Sequence, residues 1–374
     1  MDNNRNGAVL MKRNKTVQIA AIAVTALVLS LTATTSASAA TAKVNGACKT
    51  VGEKSGTLTC TQSGTKKVWK TTVVPAAIKS WLKDCNNQLS VVIGYGAGGA
   101  TDIWARLLAK YIETETGAKV NVTNTPGAGG SLGINKVMSS KRNACTLGNV
   151  NLPSALQYLR PTSSVTYTKE SLNLIATTGF SANVIVVHAD SKYNTVKDLV
   201  DDMKANAGRI KAGSDGPGSD DAIAYYDLAQ KTGTTFTQVV TDGSAAKVAA
   251  LLSKQVDFFG GSITGVKANI DNKQFKALCV FSDVKSKFLP TTPTCKEAGY
   301  DVISTNMWSL FTSQGVLESR RQAIEDMLLK IAANTTYIAD NDKLAIEVRP
   351  FTSDALSEEW TRQAVLYKSI ISKL

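Results

Sequence analysis

Two stretches of the chain combine residue types that capture an anion without transforming it. The first is Val91-Val92-Ile93-Gly94-Tyr95-Gly96-Ala97-Gly98-Gly99-Ala100-Thr101-Asp102, an apolar β-branched run that enters a glycine-rich turn and then a helical pattern. The second comes about 120 residues later, where Ile210 to Gly213 enters Gly213-Ser214-Asp215-Gly216-Pro217-Gly218-Ser219 and a helical pattern opens at Asp220. In both, the N–H groups of the first helical turn have no internal partner and the helix dipole favours negative charge. Glycines let the backbone come close to a ligand. Thr101, Ser214 and Ser219 add hydroxyls, and neither 94–102 nor 213–221 contains Lys or Arg. Catalysis lacks its parts. His188 is the only histidine and ends the apolar run Val184-Ile185-Val186-Val187, and no cysteine pair has zinc-ligand spacing. No catalytic residue, metal or cofactor is expected.

Gly94-Tyr95-Gly96-Ala97-Gly98-Gly99 satisfies G-x-G-x-x-G between a strand and a helix. A dinucleotide site also needs a second strand ending in an acid that holds the ribose. Here that strand runs Val120-Asn121-Val122 into Thr123-Asn124-Thr125, so the cofactor reading fails. A P-loop is excluded because no Gly-Lys-Ser/Thr follows.

The elements that position these loops alternate. Strands are expected at 91–95, 120–122, 145–149, 183–188, 210–213, 256–259 and 275–281. Helices are expected at 102–116, 132–139, 196–207, 220–231, 246–252, 318–334 and 357–372. That alternation implies parallel sheets with helices on both faces, binding ligands at the carboxyl ends of the strands. Asn149 and Asn151 lie beyond the third strand, where they would line the same cleft as the glycine loops.

The N-terminal region differs. Lys12-Arg13-Asn14-Lys15, an apolar run from Ile19 to Leu31 and Ser36-Ala37-Ser38-Ala39-Ala40 make residues 1–40 a signal peptide, so the protein is expected to be exported, to the periplasm or the cell surface. The whole chain carries a formal +12; residues 1–40 hold four basic residues and one acid, leaving +9. No basic-aromatic stripe suggests nucleic acid. Residues 41–85 are expected as a small β-hairpin cysteine-pair module and linker, because so few apolar residues cannot make a core.

Four stretches together carry a resemblance: Gly98-Gly99-Ala100-Thr101-Asp102 with Ala105-Arg106-Leu107-Leu108; Asn124 with Pro126-Gly127-Ala128-Gly129-Gly130-Ser131-Leu132-Gly133; Gly213-Ser214 with Gly216, Gly218 and Ser219; and Gly243-Ser244-Ala245-Ala246, Gln255-Val256-Asp257, Pro293-Thr294 and Glu297-Ala298-Gly299. In order and spacing, residues 88–374 resemble the extracytoplasmic solute receptors of tripartite tricarboxylate transporters, the Bug family. The resemblance implies a type II periplasmic-binding-protein fold, two α/β domains with a hinge that close on a small organic carboxylate and deliver it to membrane permease subunits. It further implies a monomer that performs no chemistry. Carried over by position, the ligand set is Tyr95, Ala97, Gly98, Gly99, Thr101, Ser214, Gly216, Gly218 and Ser219, with Asn149, Asn151, Asp242, Gly243 and Ser244 at the cleft. Asp102 is expected to cap its helix. Asp242 stands where the family often has a basic residue, which argues against a highly anionic ligand such as citrate. A ligand sensor of the same fold and an exported enzyme using the same cleft are the rival functions.

Domain 1 is expected as 86–185 plus 279–374 and domain 2 as 186–278, with crossings near 183–190 and 277–283. Six cysteines allow 15 pairings. Proximity favours Cys48–Cys60 and Cys279–Cys295 and leaves Cys85–Cys145. A 2-1-3 strand order would place the strands after Cys85 and Cys145 side by side.

Overall fold

A computed structural model describes residues 74–374, with residues 47, 49, 54–55, 58–63 and 66–71. The expected signal peptide and Cys48 lie outside the described residues. Short strands β1 (Lys54–Ser55), β2 (Leu58–Ser63) and β3 (Lys66–Thr71) form an antiparallel sheet. The segment expected as a linker is a helix, α1 (Ala76–Asp84). Its Ile78, Trp81 and Leu82 are buried in the first core of the main body. Periodicity over nine residues beginning at a proline gave little to separate helix from linker.

β4 (Gln88–Ile93), α2 (Ala100–Thr116), β5 (Lys119–Asn124), α3 (Ser131–Met138) and β6 (Thr146–Leu152) follow. α2 buries Trp104, Ala105, Leu108 and Ile112 at helical spacing and stops at Gly117, whose left-handed backbone returns its N–H to the Glu113 carbonyl. β7 (Asn173–His188) is a 16-residue strand buried almost throughout. Then come α4 (Val196–Ala205), β8 (Lys211–Ser214), α5 (Asp220–Thr232), β9 (Thr237–Val240), α6 (Ser244–Leu252), β10 (Phe258–Ser262), α7 (Ile263–Asp271) and β11 (Phe275–Val280). The chain closes with β12 (Thr305–Thr312), α8 (Glu318–Ala332), α9 (Thr335–Lys343), β13 (Phe351–Thr352) and α10 (Ser353–Ile371).

The main sheet runs β5-β4-β6-β12-β7-β10-β8-β9, and β11 and β13 also pair with β7. β4 is parallel to both β5 and β6, and β8 is parallel to both β9 and β10. Both halves therefore have the order 2-1-3. β7 joins them by changing partners. Up to Ala182 it pairs with β12, and from Asn183 it pairs with β10 and β11. The chain returns at 304–305: Ser304 N–H donates to the Phe281 carbonyl and Asn183 N–H to the Ser304 carbonyl. Each half is covered on both faces. Trp104, Trp308 and Ile324 belong to one core of the first half; Ile134, Phe311 and Trp360 belong to the other. Leu199, Tyr225 and Phe258 lie on one face of the second half; Leu251, Phe259 and Val266 lie on the other. Burying each such side chain contributes roughly 1.5–3 kcal/mol.

Cys85 is bonded to Cys145 with Cα atoms 5.4 Å apart, because parallel neighbours β4 and β6 start side by side. Closing a loop with a sequence separation of 60 stabilises by about 4 kcal/mol on chain-entropy grounds. Cys279 is bonded to Cys295, which ties β11 to the loop that leads into β12. Cys60 is disulfide-bonded, and its expected partner Cys48 lies outside the described residues.

Candidate functional site

The first glycine loop is held from beneath by a chain of buried amides. Gly94 N–H donates to Asn149 Oδ1 (3.2 Å), and Asn149 Nδ2 donates to Asn151 Oδ1 (2.5 Å). Asn151 Nδ2 donates to Thr101 Oγ1 (3.2 Å) and to Asn306 Oδ1 (3.4 Å). Gly94 packs backbone to backbone on the glycine loop 126–130, so that a Cβ on it would lie 2.5 Å from the Gly130 carbonyl. Tyr95 Oη donates to the Gly129 carbonyl at 3.2 Å. The loop 126–130 therefore buttresses the first glycine loop. Asp102 locks the loop from the side, accepting from Gly98 N–H, Arg106 Nε and Asn124 Nδ2, each at 2.9 Å. Burial opposes its charge, but the bonds from Arg106, Gly98 and Asn124 hold its carboxyl below the usual range.

The second glycine loop unit, 213–221, is closed on itself. Ser219 Oγ shares its one proton between the Gly216 carbonyl (2.7 Å) and Asp221, and accepts from Ala222 N–H as the cap of α5. Ser214 Oγ accepts from Gly216 N–H and from Gln238. Lys247 Nζ, from α6, reaches Asp215 Oδ2 at 2.9 Å and Asp221 Oδ2 at 2.6 Å. Burial works against the Lys247 charge, yet Asp215, Asp221 and Asp220 outweigh it and hold the ammonium well above its ordinary pKa. Asp220 accepts from Ser154 Oγ (2.8 Å), Asn183 Nδ2 (2.5 Å) and Asn306 Nδ2 (2.7 Å). Burial raises its pKa, and it pushes that of Asp215 up to about 7.

The two halves of the sheet meet over this region. A Cβ on Gly96 would lie 2.7 Å from the Asp242 carbonyl, and one on Gly243 would lie 3.2 Å from Gly96 N. Between the two halves lies a small polar cavity of about 20 Å³. Tyr95, Gly99, Ala100 and Thr101 line it from the first loop; Asn151, Asn306 and Trp308 line it from the sheet. Asp215, Asp220, Ser244, Lys247, Gly261 and Ser262 line it from the other half. Three helices, α2, α6 and α7, begin at this cavity. None has a side-chain cap, and their N-caps are Gly99, Gly243 and Ser262. Two buried polar atoms of the lining, Ser262 Oγ and Trp308 Nε1, have no protein partner.

The structure thus brings Tyr95, Gly99, Thr101, Asn151 and Ser244 to one cavity, with Asn149 immediately behind Asn151. Ala97 and Gly98 are exposed, and the Gly98 N–H is committed to Asp102. Ser214, Gly216, Gly218 and Ser219 stand outside the lining because their loop satisfies its own hydroxyls and caps its own helix. Gly243 meets the first loop by its backbone, and the Asp242 side chain is exposed. The acids facing the cavity are Asp215 and Asp220. Lys247, Gly261, Ser262, Asn306 and Trp308 went unread. A lone lysine in the apolar helix Ser244–Leu252 was a signal; Asn306 and Trp308 had none, because β12 was not expected.

Carboxylate oxygens of Asp215, Asp220 and Asp221 lie within 4.8 Å of one another. The Lys247 ammonium already occupies two of these carboxylates, and three side-chain donors saturate the third. The cluster is a compensated charge group, and this donor set does not suit a metal ion.

Paired α/β half-sheets, with a closed polar cavity at the carboxyl ends of their strands, define a periplasmic-binding-protein fold. The periplasmic binding protein BugD superposes with a TM-score of 0.71 at 23% identity, over 76% of this chain and 96% of that one. MatC from Rhodopseudomonas palustris, solved with bound malate, superposes with a TM-score of 0.72 at 17% identity, over 76% and 99%. The family model described as "Tripartite tricarboxylate transporter family receptor" matches residues 104–349, and the chain belongs to that family. A Cupriavidus necator protein, "UPF0065 protein in gbd 5'region", is 28% identical over 294 residues, 76% of this chain and 87% of its own length. The family is one of solute-binding receptors, whose place is the periplasm. Among the described residues no helix is long and apolar enough to cross a membrane.

Proposed function

We propose that the protein is an exported receptor that captures a small organic carboxylate and hands it to the membrane subunits of a tripartite tricarboxylate-type transporter. The observation that carries this reading is the convergence of three uncapped helix starts, α2, α6 and α7, on one closed cavity. Free N–H groups and the positive ends of three helix dipoles favour an anion there. Family membership supports the transporter as partner, and malate in MatC is the kind of ligand expected. Nothing in the lining forms a nucleophile–base pair, which favours a receptor over an exported enzyme. The carboxylate sits against α2, α6 and α7, and the loop 213–219 shapes the wall behind it.

The two half-sheets are the lobes of a type II binding protein. Their hinge lies where β7 changes partners at 182–183 and where the chain returns at 304–305. Ligand binding shifts the lobes toward the closed form, and that form docks on the permease. The test is a thermal-shift screen of the exported chain with acetate, lactate, succinate, L-malate, citrate and benzoate. A saturable rise with at least one acid, recovered unchanged after incubation, is expected. A protein that responds to none of them, or that consumes the acid, overturns the reading. A sensor would bind equally well but would lack neighbouring genes for two permease subunits.

A further inference from the structure

We infer that Ser262 Oγ and the Trp308 indole N–H are the side-chain anchors of the ligand's carboxylate; this inference rests on the carboxylate-receptor reading above. Ser262 is 2% exposed and Trp308 is fully buried, yet neither polar atom has a hydrogen-bond partner. Leaving a buried donor unmade is expensive, so a lining that keeps two of them is built for an acceptor that arrives from outside. An indole N–H can only donate, and a hydroxyl can donate. The missing partner is therefore an oxygen acceptor, and a carboxylate offers two.

Their places in the fold agree. Ser262 is the N-cap residue of α7, where a serine side chain ordinarily accepts from the first turn, but here it makes no cap. Its hydroxyl and the free N–H groups of that turn can serve one anion together. Trp308 comes from β12 in the other half of the sheet, next to Asn306 and opposite Asn151. One carboxylate held by both residues would bridge the halves, one oxygen to each. Binding would then stabilise the closed form directly. Lys247 can add one further donor at the same cavity: an ammonium carries three donors, and two are spent on Asp215 and Asp221.

The experiment compares the full exported chain with Ser262→Ala and Trp308→Phe, each without ligand and with the tightest-binding acid of the panel above. Without ligand, both variants should melt at or above the wild-type midpoint, because each removes an unsatisfied buried donor. Affinity should fall roughly tenfold to a hundredfold in each, the loss expected for one hydrogen bond to a charged acceptor. Wild-type affinity in both variants overturns the inference and leaves the receptor reading intact. A marked drop in both ligand-free midpoints also overturns it, since it would show that the two atoms have structural partners. A wild type that binds no acid of the panel fails the receptor reading first, and this inference with it.

Discussion

The loops at 94–102 and 213–221 read alike as sequence, each a strand, a run of glycines and a helix start, and they fold to opposite ends. At the first loop the helix N-cap is Gly99, which has no side chain to spend on the first turn, so the N–H groups of α2 face the cavity. At the second, Ser219 caps α5 and Asp221 accepts from Ser219 and Ala222, so the helix start is used up from within. The difference teaches that of two glycine loops before helices only the one whose cap leaves the turn unsatisfied is free to serve as the proposed anion site. Charge placement follows the same division. The Asp102 lock of the first loop is paired with Arg106, whose side chain is half exposed, whereas the Asp215–Lys247–Asp221 group of the second is buried on all sides.

Removing one charge from each group should separate the two loops most widely. Lys247→Met leaves two buried carboxylates without their cation and should cost about 3–5 kcal/mol in urea unfolding. Asp102→Asn breaks a partly solvated lock and should cost about 1 kcal/mol. Equal losses in the two variants would mean that the buried group is not compensated as described.

Between about pH 5 and about pH 7.5, pH should act on the second loop and not on the first, whose Asp102 carboxyl is held below the usual range. Asp215 is displaced from 3.8 to about 7 by burial, with Lys247 opposing. The folded form keeps a proton that the unfolded chain releases, so stability is greatest below the ordinary carboxylate value and falls as pH rises from about 4 to about 7. Asp220, also raised by burial, adds with the same sign. Each pH unit in that window is worth about 1.4 kcal/mol per displaced group. The ligand-free melting midpoint should therefore drop between about pH 5 and about pH 7.5, with a shallower drop in Asp215→Asn. A midpoint that rises over this range would contradict the raised carboxyls.

Ser219→Ala tests the cap itself. It should lower stability by about 1–2 kcal/mol, as loss of an N-cap does, with ligand affinity unchanged. Ser262→Ala, at the cap of α7, should show the reverse pattern. A Ser219→Ala protein that loses affinity but not stability would return the second loop to the ligand site.

Much of this architecture was legible from periodicity and spacing. The glycine loops follow strands β4 and β8 and precede helices α2 and α5, and the 2-1-3 order that joins Cys85 to Cys145 is present. What escaped was polar sequence inside the sheet. β12, Thr305-Asn306-Met307-Trp308-Ser309-Leu310-Phe311-Thr312, and the first half of β7 mix hydroxyls and amides with apolar residues, so neither looks like a buried strand. They are buried because their polar groups pair internally: Thr177 with Ser309 at 2.6 Å, and Asn306 Nδ2 with Asn183 Oδ1 at 3.0 Å. Those pairings join residues more than a hundred positions apart, and no local pattern reports them. Missing β12 meant missing Asn306 and Trp308. Asp242, expected at the cleft, is exposed, and nearness in sequence to the cleft does not report which way a side chain faces.

The smallest expected effects on stability lie within the first loop, at Gly98 and its neighbour Gly96. Gly98 has φ of +75°, and a Cβ there would meet nothing within 4 Å. Alanine can fit the space but must adopt a left-handed backbone, so Gly98→Ala should cost about 1 kcal/mol in unfolding. Its N–H would still reach Asp102, and the residue stands outside the cavity lining, so affinity for the acid should not change. Gly96 is the opposite case. Its Cβ would stand 2.7 Å from the Asp242 carbonyl, a contact that the proposed parting of the lobes would remove. Gly96→Ala should therefore leave unfolding nearly unaltered and weaken ligand binding by hindering closure. Calorimetric titration of both variants beside their urea midpoints decides the matter. If Gly98→Ala loses the ligand while Gly96→Ala keeps it, the loop contributes its exposed backbone, and closure against Asp242 and Gly243 is not what traps the acid.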